Sequence, residues 1–441
     1  MGESATVGPA WHRLRFAAIQ LASAGAGMVA WMVLPRIASG MEQEPAIVAF
    51  ALGPILALPL TIGIPVTLPN AFRRGADGSH LRPGAWAVPL RIVCGILAVA
   101  LGVGIVLSIV GIAGLPVETG ALTASYAAGM GTWLIAAQVA RIRESTLLMA
   151  AGGLLNPILP LAWMLFAGLG LPLDLAATAT VAVMTVLCAG IWFGMRGLLS
   201  AHPSAPGGEA ARTLAMATVL VPHLALFAVL MQGIRLSAIV AGAPALLEQA
   251  HLAALGVTMV SVLINSVHAL LSVRMQTADD PALTAAVRAS SIGYGALALT
   301  STVITLIFYL ALPMVSGVAV PLAVAAPLGL TVPALAVYYA SSAIQLRTGS
   351  AIRLLTASGG AVVLWALATV VMRPDTLQGL SWVYAIAPVT LAAVAAVLGS
   401  FNPDPVTRDA TRLMLRRIAL PVAACVALLA VAGVVVAVTG V

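Results

Sequence analysis

Apolar and polar positions alternate along the chain on the length scale of a membrane helix. Apolar stretches recur from residue 16 to the C-terminus, each long enough for the ~20 residues that cross a bilayer, and short polar segments separate them. The pattern predicts an all-α polytopic membrane protein with thirteen spans, at residues 16–38, 46–69, 86–113, 120–140, 146–170, 173–195, 214–240, 246–272, 289–314, 319–345, 351–372, 379–399 and 418–439.

The composition supports a membrane protein. The chain is 61% hydrophobic and 8% charged, whereas soluble globular chains average about 25% charged residues. All 21 basic residues are arginine, which excludes a P-loop and Schiff-base chemistry because both require lysine. Cys94, Cys188 and Cys425 lie far apart within apolar segments, so we expect neither a metal site nor a cofactor.

The arginines also predict the orientation of the chain. With a cytoplasmic N-terminus, 18 of the 21 arginines fall on the inner side of the membrane, where positively charged loops are retained. This distribution explains the net charge of +7 without a nucleic-acid partner. The exceptions are Arg36, Arg235 and Arg373. The first apolar run reaches Pro35, too long for a signal peptide, so we expect an uncleaved first span.

Spacing between arginines indicates an internal repeat. Four pairs lie 197 to 206 residues apart: Arg36 and Arg235, Arg73 and Arg274, Arg91 and Arg288, Arg141 and Arg347. Inner loops are rich in arginine in any membrane protein, so the matching of inner arginines alone could be a coincidence. Arg36 and Arg235 lie on the predicted outer side, where this explanation does not apply. The spacing predicts two six-helix lobes related by an axis along the membrane normal.

Domain boundaries follow from the polar stretch "SAHPSAPGGEAARTL" at residues 200–214. It is the only loop with the composition of a linker between halves. We predict an N-terminal six-helix lobe at 1–199, a cytoplasmic linker at 200–213 and a C-terminal six-helix lobe at 214–400. Residues 401–441 then form a cytoplasmic loop and an extra C-terminal transmembrane helix.

The eighth predicted span carries a polar stripe. His251, Thr258 and Asn265 recur at seven-residue steps, and His268 lies in an interleaved row, so all four fall on one face of a helix. A polar row of this length is disfavoured against lipid. It forms either hydrogen bonds between packed helices or the lining of a watered cavity, and the histidines favour the cavity. Asn156 either lines the same cavity or bonds a backbone group freed by Pro157.

Arg235 and Arg36 occupy equivalent positions in the predicted repeat, near the outer ends of their spans. Each arginine either extends to the outer headgroups and nearby glutamates or contacts an anionic ligand in a cleft between lobes. A guanidinium suits phosphate because it donates two parallel hydrogen bonds. On the second interpretation the substrate-binding residues are Arg36, Arg235, His251, Thr258, Asn265, His268 and Asn156.

Four segments resemble the multidrug/oligosaccharidyl-lipid/polysaccharide exporter superfamily, and within it the bacterial polysaccharide-type flippases. They are "WMVLPRIASGMEQEPAIVAFALGPIL" (31–56), "LTIGIPVTLPNAFRRG" (60–75), "LLNPILPLAWMLF" (154–166) and "QGIRLSAIVAGAPALLEQAHLAALGVTMVSVLINSVHALLSVRM" (232–275). The resemblance implies a V-shaped pair of lobes that moves a polyprenyl-phosphate-linked saccharide across the bacterial plasma membrane by alternating access. Two features depart from the family: Thr61 and Ile234 are uncharged where acidic residues are common, and thirteen spans replace the usual twelve or fourteen.

Three other functions remain as alternatives. A multidrug antiporter of the same fold would need an acidic cation site, and no acidic residue lies in the middle of a predicted span. A membrane glycosyltransferase would need a large catalytic loop, and the outer loops are short, so we expect no enzyme activity. A transport-inactive scaffold would use the polar stripe for packing. The expected partners are the lipid-linked saccharide, membrane lipids and envelope glycosyltransferases, and the expected state is a monomer.

Overall fold

A computed structural model describes residues 10–38, 40–62, 64, 83–110, 117–142, 145–199, 208–241, 246–278, 280–318, 320–347 and 351–439. Within these ranges the regular structure is helical, and no strand occurs. The chain forms two compact units that divide between Ala225 and Leu226. We call them unit 1 and unit 2.

Unit 1 contains the helices α1 (Ala10–Val33), α2 (Gly40–Leu60), α3 (Pro83–Val110), α4 (Val117–Ile142), α5 (Thr146–Gly153), α6 (Leu155–Gly168) and α7 (Leu173–Gly194). A short 3-10 turn, Leu34–Arg36, follows α1, and a short helical turn, Arg196–Leu199, follows α7. Helix α4 lies at the centre of the unit and packs against α2, α3 and α7. Its alanines and glycines allow this close approach.

The second half of the chain contains α8 (Gly208–Met231), α9 (Gly233–Val240), α10 (Leu247–Thr277), α11 (Asp280–Ser316), α12 (Ala325–Arg347), α13 (Ala351–Met372), α14 (Leu377–Ser400) and α15 (Pro405–Thr439). The boundary between the units falls within α8. Helix α12 lies at the centre of unit 2 and packs against α10, α11 and α14. Buried leucine, valine and alanine side chains from these helices form its core.

The same helix pairs pack in both units. In unit 1, α4 contacts α2, α3 and α7, while α6 contacts α1 and α7. In unit 2, α12 contacts α10, α11 and α14, while α13 contacts α9 and α14. Each pair in one unit matches the pair one repeat later in the other. This recurrence is what two six-helix repeats predict.

Helix α15 is the extra C-terminal helix that the sequence predicts, and it is part of unit 2. It packs against α11, α12 and α14. Its N-terminus is capped by Asp404, whose Oδ2 accepts a hydrogen bond of 2.9 Å from the backbone N of Thr407. Such a cap satisfies one of the free N–H groups at a helix start.

Within the described residues, each predicted span overlaps a helix or a helix pair. In the part of the chain that the structure describes, eleven helices are long and apolar enough to cross a membrane, and the bent pair α8–α9 makes a possible twelfth. The helix outside this set is α4, which coincides with the predicted span 120–140. Its alanine, glycine, serine and threonine residues make it less apolar, as suits the central helix of a unit.

Three details of the predicted organisation differ from the structure. Residues 405–417, assigned to a cytoplasmic loop, form the first turns of α15. Residues 208–213, assigned to a linker, form the first turns of α8, and residues 200–207 lie outside the described ranges. The seventh predicted span, 214–240, is not one straight helix: α8 and α9 meet at an angle of 71°. The bend occurs at Gln232, where the sequence has neither proline nor a polar run to indicate a break.

Candidate functional site

The bend between α8 and α9 keeps both backbone groups of Gln232 hydrogen-bonded. The Gln232 N–H donates to the carbonyls of Ala228 and Val229, and the Gln232 carbonyl accepts from the N–H groups of Arg235 and Leu236, at 3.0 and 3.1 Å. The bend is therefore tolerated in an apolar environment, where unsatisfied backbone groups are strongly disfavoured.

Gly233 allows α9 to pack closely against α14. A Cβ atom at this position would lie 2.9 Å from Cδ2 of Tyr384 and 3.5 Å from Nε1 of Trp365. A larger residue would therefore push α9 away from α14. The close approach brings the first turn of α9, including Arg235, into the interior of unit 2.

Arg235 is fully buried, with 0% of its side chain exposed. Its Nε donates a hydrogen bond of 2.9 Å to Nδ1 of His251 on α10, and its Nη1 donates one of 2.6 Å to Oε1 of Gln232. A weaker contact of 3.5 Å joins Nη2 to the carbonyl of His251. We call Gln232, Arg235 and His251 the arginine cluster.

The arrangement defines the protonation of His251. Because Nδ1 accepts a hydrogen bond from a guanidinium, it carries no proton, and the ring proton of the neutral imidazole lies on Nε2. Two helices that are separated by the bend, α8 and α9, are thereby tied to α10 through one charged side chain.

Tyrosine and tryptophan side chains surround the arginine cluster. Tyr309 on α11 and Tyr384 on α14 lie within electrostatic reach of Arg235. The Tyr309 hydroxyl donates a hydrogen bond of 2.6 Å to the carbonyl of Ala253. The Tyr384 hydroxyl is buried and has no hydrogen-bond partner among the described residues. A polar atom that is buried beside a cation and left unsatisfied is a candidate ligand contact.

One turn of helix or less from Arg235, Ser237 on α9 accepts at its Oγ a hydrogen bond of 2.8 Å from the Trp365 Nε1–H on α13. The Ser237 hydroxyl also lies 3.4 Å from Oγ1 of Thr369 on α13. These bonds anchor α9 to α13. The helix that carries Arg235 is thus held by contacts to α10, α13 and α14.

The buried charge among the described side chains is positive. Among the side chains whose burial the structure describes, Arg235 is the only arginine, aspartate or glutamate that is buried. Glu248, in the first turn of α10, is half-buried, and the other described acidic side chains are half-buried or exposed. The described core therefore offers a guanidinium and no carboxylate.

The structure places the two predicted arginines in different environments. Arg36 ends the 3-10 turn of unit 1 and is exposed, whereas Arg235 is buried in unit 2. The interpretation that Arg235 extends to the outer headgroups is wrong, because its guanidinium lies in the protein interior. Joint binding of one ligand by both arginines stays a prediction.

The polar stripe on α10 does not form one uniform surface. His251 is buried, and Thr258 is half-buried with its Oγ1 donating a hydrogen bond of 2.9 Å to the carbonyl of Ala254. Asn265 is exposed. His268 is half-buried and its Nδ1 lies 2.7 Å from the Tyr294 hydroxyl, with its ring centroid 4.7 Å from that of Tyr339.

Asn156 lies in unit 1, apart from the arginine cluster along the chain and in a different unit. Its Nδ2 donates a hydrogen bond of 3.2 Å to Oγ of Ser23 on α1, and that hydroxyl donates to the carbonyl of Gly153. Neither alternative for Asn156 included this bond. In this structure the side chain ties α6 to α1.

Several residues of the site were absent from the sequence prediction, among them Gln232 and Tyr384. Gln232 lies three residues before Arg235, a spacing that places both on one helical face, and this signal could have identified it. Tyr384 lies 149 residues beyond Arg235 and has no local signal. Only the packing of α9 against α14 brings it to the site.

Cysteine labelling tests the exposure gradient along α10. In a background without the three native cysteines, a membrane-impermeant thiol reagent should label Asn265→Cys readily and leave His251→Cys unlabelled. Ile292→Cys on α11, which is 72% exposed, serves as a control for an exposed apolar position and should react slowly. Labelling of position 265 no faster than position 292 would show that α10 presents Asn265 to lipid.

Comparison with protein-family models and with curated protein sequences finds no match. Solved structures do match over nearly the whole chain. The eukaryotic MATE transporter AtDTX14 is 13% identical, with a TM-score of 0.54 over 92% of this chain and 97% of its own. A multidrug resistance MATE family transporter of the MOP superfamily, in an outward-facing conformation, is 16% identical, with a TM-score of 0.55 over 93% and 96%.

A MOP superfamily transporter from Pyrococcus furiosus is 14% identical, with a TM-score of 0.53 over 93% of this chain and 96% of its own. It is described as having a binding pocket of reversed polarity, which suggests a different function. At these identities the likeness concerns the fold. The chain has the fold of the MATE transporters of the MOP superfamily.

Proposed function

We propose that the protein is a membrane transporter of the flippase type, which moves a polyprenyl-phosphate-linked saccharide across the bacterial plasma membrane by alternating access. The fold supports a transporter. The observation that carries the choice of substrate is the buried guanidinium of Arg235, in a described core without a buried carboxylate.

The sign of the buried charge favours an anionic ligand. A guanidinium in a low-dielectric interior attracts a phosphate far more strongly than it would in water. It also repels a cation to the same degree. Its planar fork can donate two parallel hydrogen bonds to phosphate oxygens, and the Tyr384 hydroxyl provides a neutral donor close by.

Binding requires access to a site that is closed in this structure. Arg235 is held by Gln232 and His251, so a ligand would have to replace or share those contacts. The bend at Gln232 is the natural point of opening, because a change in the angle between α8 and α9 would move Arg235 relative to α10. A ligand that binds the opened form better would shift the equilibrium toward it.

A multidrug antiporter is the second candidate. The fold fits it equally well, since one matched structure is a multidrug resistance transporter. The buried charge argues against an antiporter of cationic drugs, because the guanidinium of Arg235 would repel a cation. The matched transporter with reversed pocket polarity is consistent with a change of substrate charge within this fold.

Ligand-induced stabilisation separates the candidates. We expect polyprenyl phosphate to raise the melting temperature of the purified protein, because a ligand at 100 times its Kd stabilises by about 2.7 kcal/mol. The uncharged polyprenol should give a much smaller shift, and the lipophilic cation tetraphenylphosphonium none. A larger shift with the cation than with the phosphate would favour the multidrug antiporter. The absence of any shift would favour the transport-inactive scaffold.

A further inference from the structure

The N-terminal third of α15 has two chemically distinct faces. Five residues are buried against the rest of unit 2, and their spacing of one to four residues places them on one side of the helix: Thr407, Ala410, Thr411, Met414 and Ile418. On the opposite side lie Arg408, Arg412 and Arg416, which recur every four residues, with Arg417 at the edge. We call these four residues the arginine face.

The length of α15 places the arginine face at the membrane surface. The helix has 35 residues and is therefore about 52 Å long, whereas the hydrocarbon core of a bilayer is ~30 Å thick. Residues 418–439 are apolar and sufficient for the crossing. The remaining residues, 405–417, must project beyond the hydrocarbon core into the headgroup region.

This projecting segment is held rigidly. Ala410, Met414 and Ile418 belong to a hydrophobic core that includes buried residues of α10, α11 and α12. In addition, Nε of Arg412 donates a hydrogen bond of 3.1 Å to the carbonyl of Ser400 at the end of α14. The arginines therefore keep a fixed spacing of about 6 Å along the helix.

The charge of the segment remains strongly positive after local pairing. Arg408 forms an ion pair of 3.6 Å with Asp409, and Asp409 is the only acidic residue between 405 and 417. The Arg412, Arg416 and Arg417 side chains are exposed. A row of guanidinium groups at headgroup depth matches a layer of phosphates in charge and in hydrogen-bonding geometry.

We propose that the arginine face binds the phosphate groups of anionic phospholipids and fixes unit 2 to the membrane surface on that side. This interaction is separate from the arginine cluster and does not depend on the transported substrate. Retention of arginine in cytoplasmic loops would alone explain the positive charge. That retention would not explain why three arginines recur every four residues on one rigid face of α15, opposite the face that is buried.

The test measures lipid retention. The protein is purified from vesicles of equal parts phosphatidylglycerol and phosphatidylcholine, and the retained lipids are identified by native mass spectrometry. Arg412→Gln/Arg416→Gln should lower phosphatidylglycerol retention roughly tenfold or more, because each basic residue near an anionic surface contributes about a factor of five. Arg288→Gln/Arg373→Gln, which removes two exposed arginines that lie outside the arginine face, is the matched control and should lower phosphatidylglycerol retention clearly less.

Three outcomes would overturn the proposal: equal retention by both double variants, equal retention of the two lipids by the unaltered protein, or complete displacement of phosphatidylglycerol by millimolar inorganic phosphate. The last result would identify a site for a free anion. If the glutamine variant fails to insert, Arg412→Lys/Arg416→Lys carries the test, because it keeps the charge that orients the helix. It should still lose retention several-fold, since lysine lacks the planar fork, and unchanged retention would contradict the proposal.

Discussion

Arg235→Ala should destabilise unit 2 and abolish the response to polyprenyl phosphate. The substitution removes the donor for Nδ1 of His251 and for Oε1 of Gln232. Each buried acceptor left without a donor costs about 1–3 kcal/mol, and the lost side chain also leaves a cavity. We expect a lower melting temperature in detergent and no ligand-induced shift. The exposed Arg373→Ala should change neither measurement.

Arg235→Lys separates the structural role of Arg235 from its role in binding. Lysine keeps the positive charge, but its ammonium group cannot reproduce the planar geometry that joins His251 to Gln232. We expect a variant that folds with a modest loss of stability and a strongly reduced shift with polyprenyl phosphate. A folded lysine variant that responds to the phosphate as the unaltered protein does would mean that a positive charge at this position is sufficient for binding and that the planar fork of arginine is not required.

The apolar pattern predicts the helices well because each span satisfies its own backbone hydrogen bonds. A membrane helix therefore carries its signal within ~20 consecutive residues, and even the less apolar α4 coincides with a predicted span. The recurrent arginines predict the six-helix repeat for a similar reason, since orientation is decided by charge in the flanking loops. Both are local properties of the chain.

The bend at Gln232 could not be predicted in the same way. The residues on either side continue the helical pattern, and no proline lies nearer than Pro222. The bend is stabilised by contacts from other helices, such as the packing of Gly233 against Tyr384 and the bond from Trp365 to Ser237. Such contacts join residues more than 100 positions apart, which a local pattern does not reveal.

Burial explains why the polar stripe was a partial guide to the site. Periodicity places His251, Thr258, Asn265 and His268 on one face of α10, but it does not show what covers that face at each level. Near one end the bent α9 covers His251 with Arg235. Seventeen residues further along α10, about 25 Å away, His268 instead contacts Tyr294 and Tyr339.

His251→Ala should cost nearly as much stability as Arg235→Ala, because it leaves a charged N–H group buried without its acceptor. Hydrogen bonds to charged groups contribute about 1.5–3 kcal/mol, so a clear fall in melting temperature is expected. His251→Asn should restore much of the loss, since the amide Oδ1 occupies nearly the position of Nδ1 and can accept the same bond from Arg235.

The double variant Arg235→Ala/His251→Ala provides the decisive comparison. Once either partner is absent, the hydrogen bond from Nε–H of Arg235 to Nδ1 of His251 is already lost. The second substitution should therefore lower the free energy of unfolding by less than it does in the unaltered protein. Coupling energies between residues in direct contact are about 0.5–3 kcal/mol, and we expect a value in the upper part of that range for a buried, charged pair. Additive losses would mean that Arg235 and His251 do not interact in the folded protein. The geometry of the arginine cluster, and with it the substrate charge inferred from it, would then have to be abandoned.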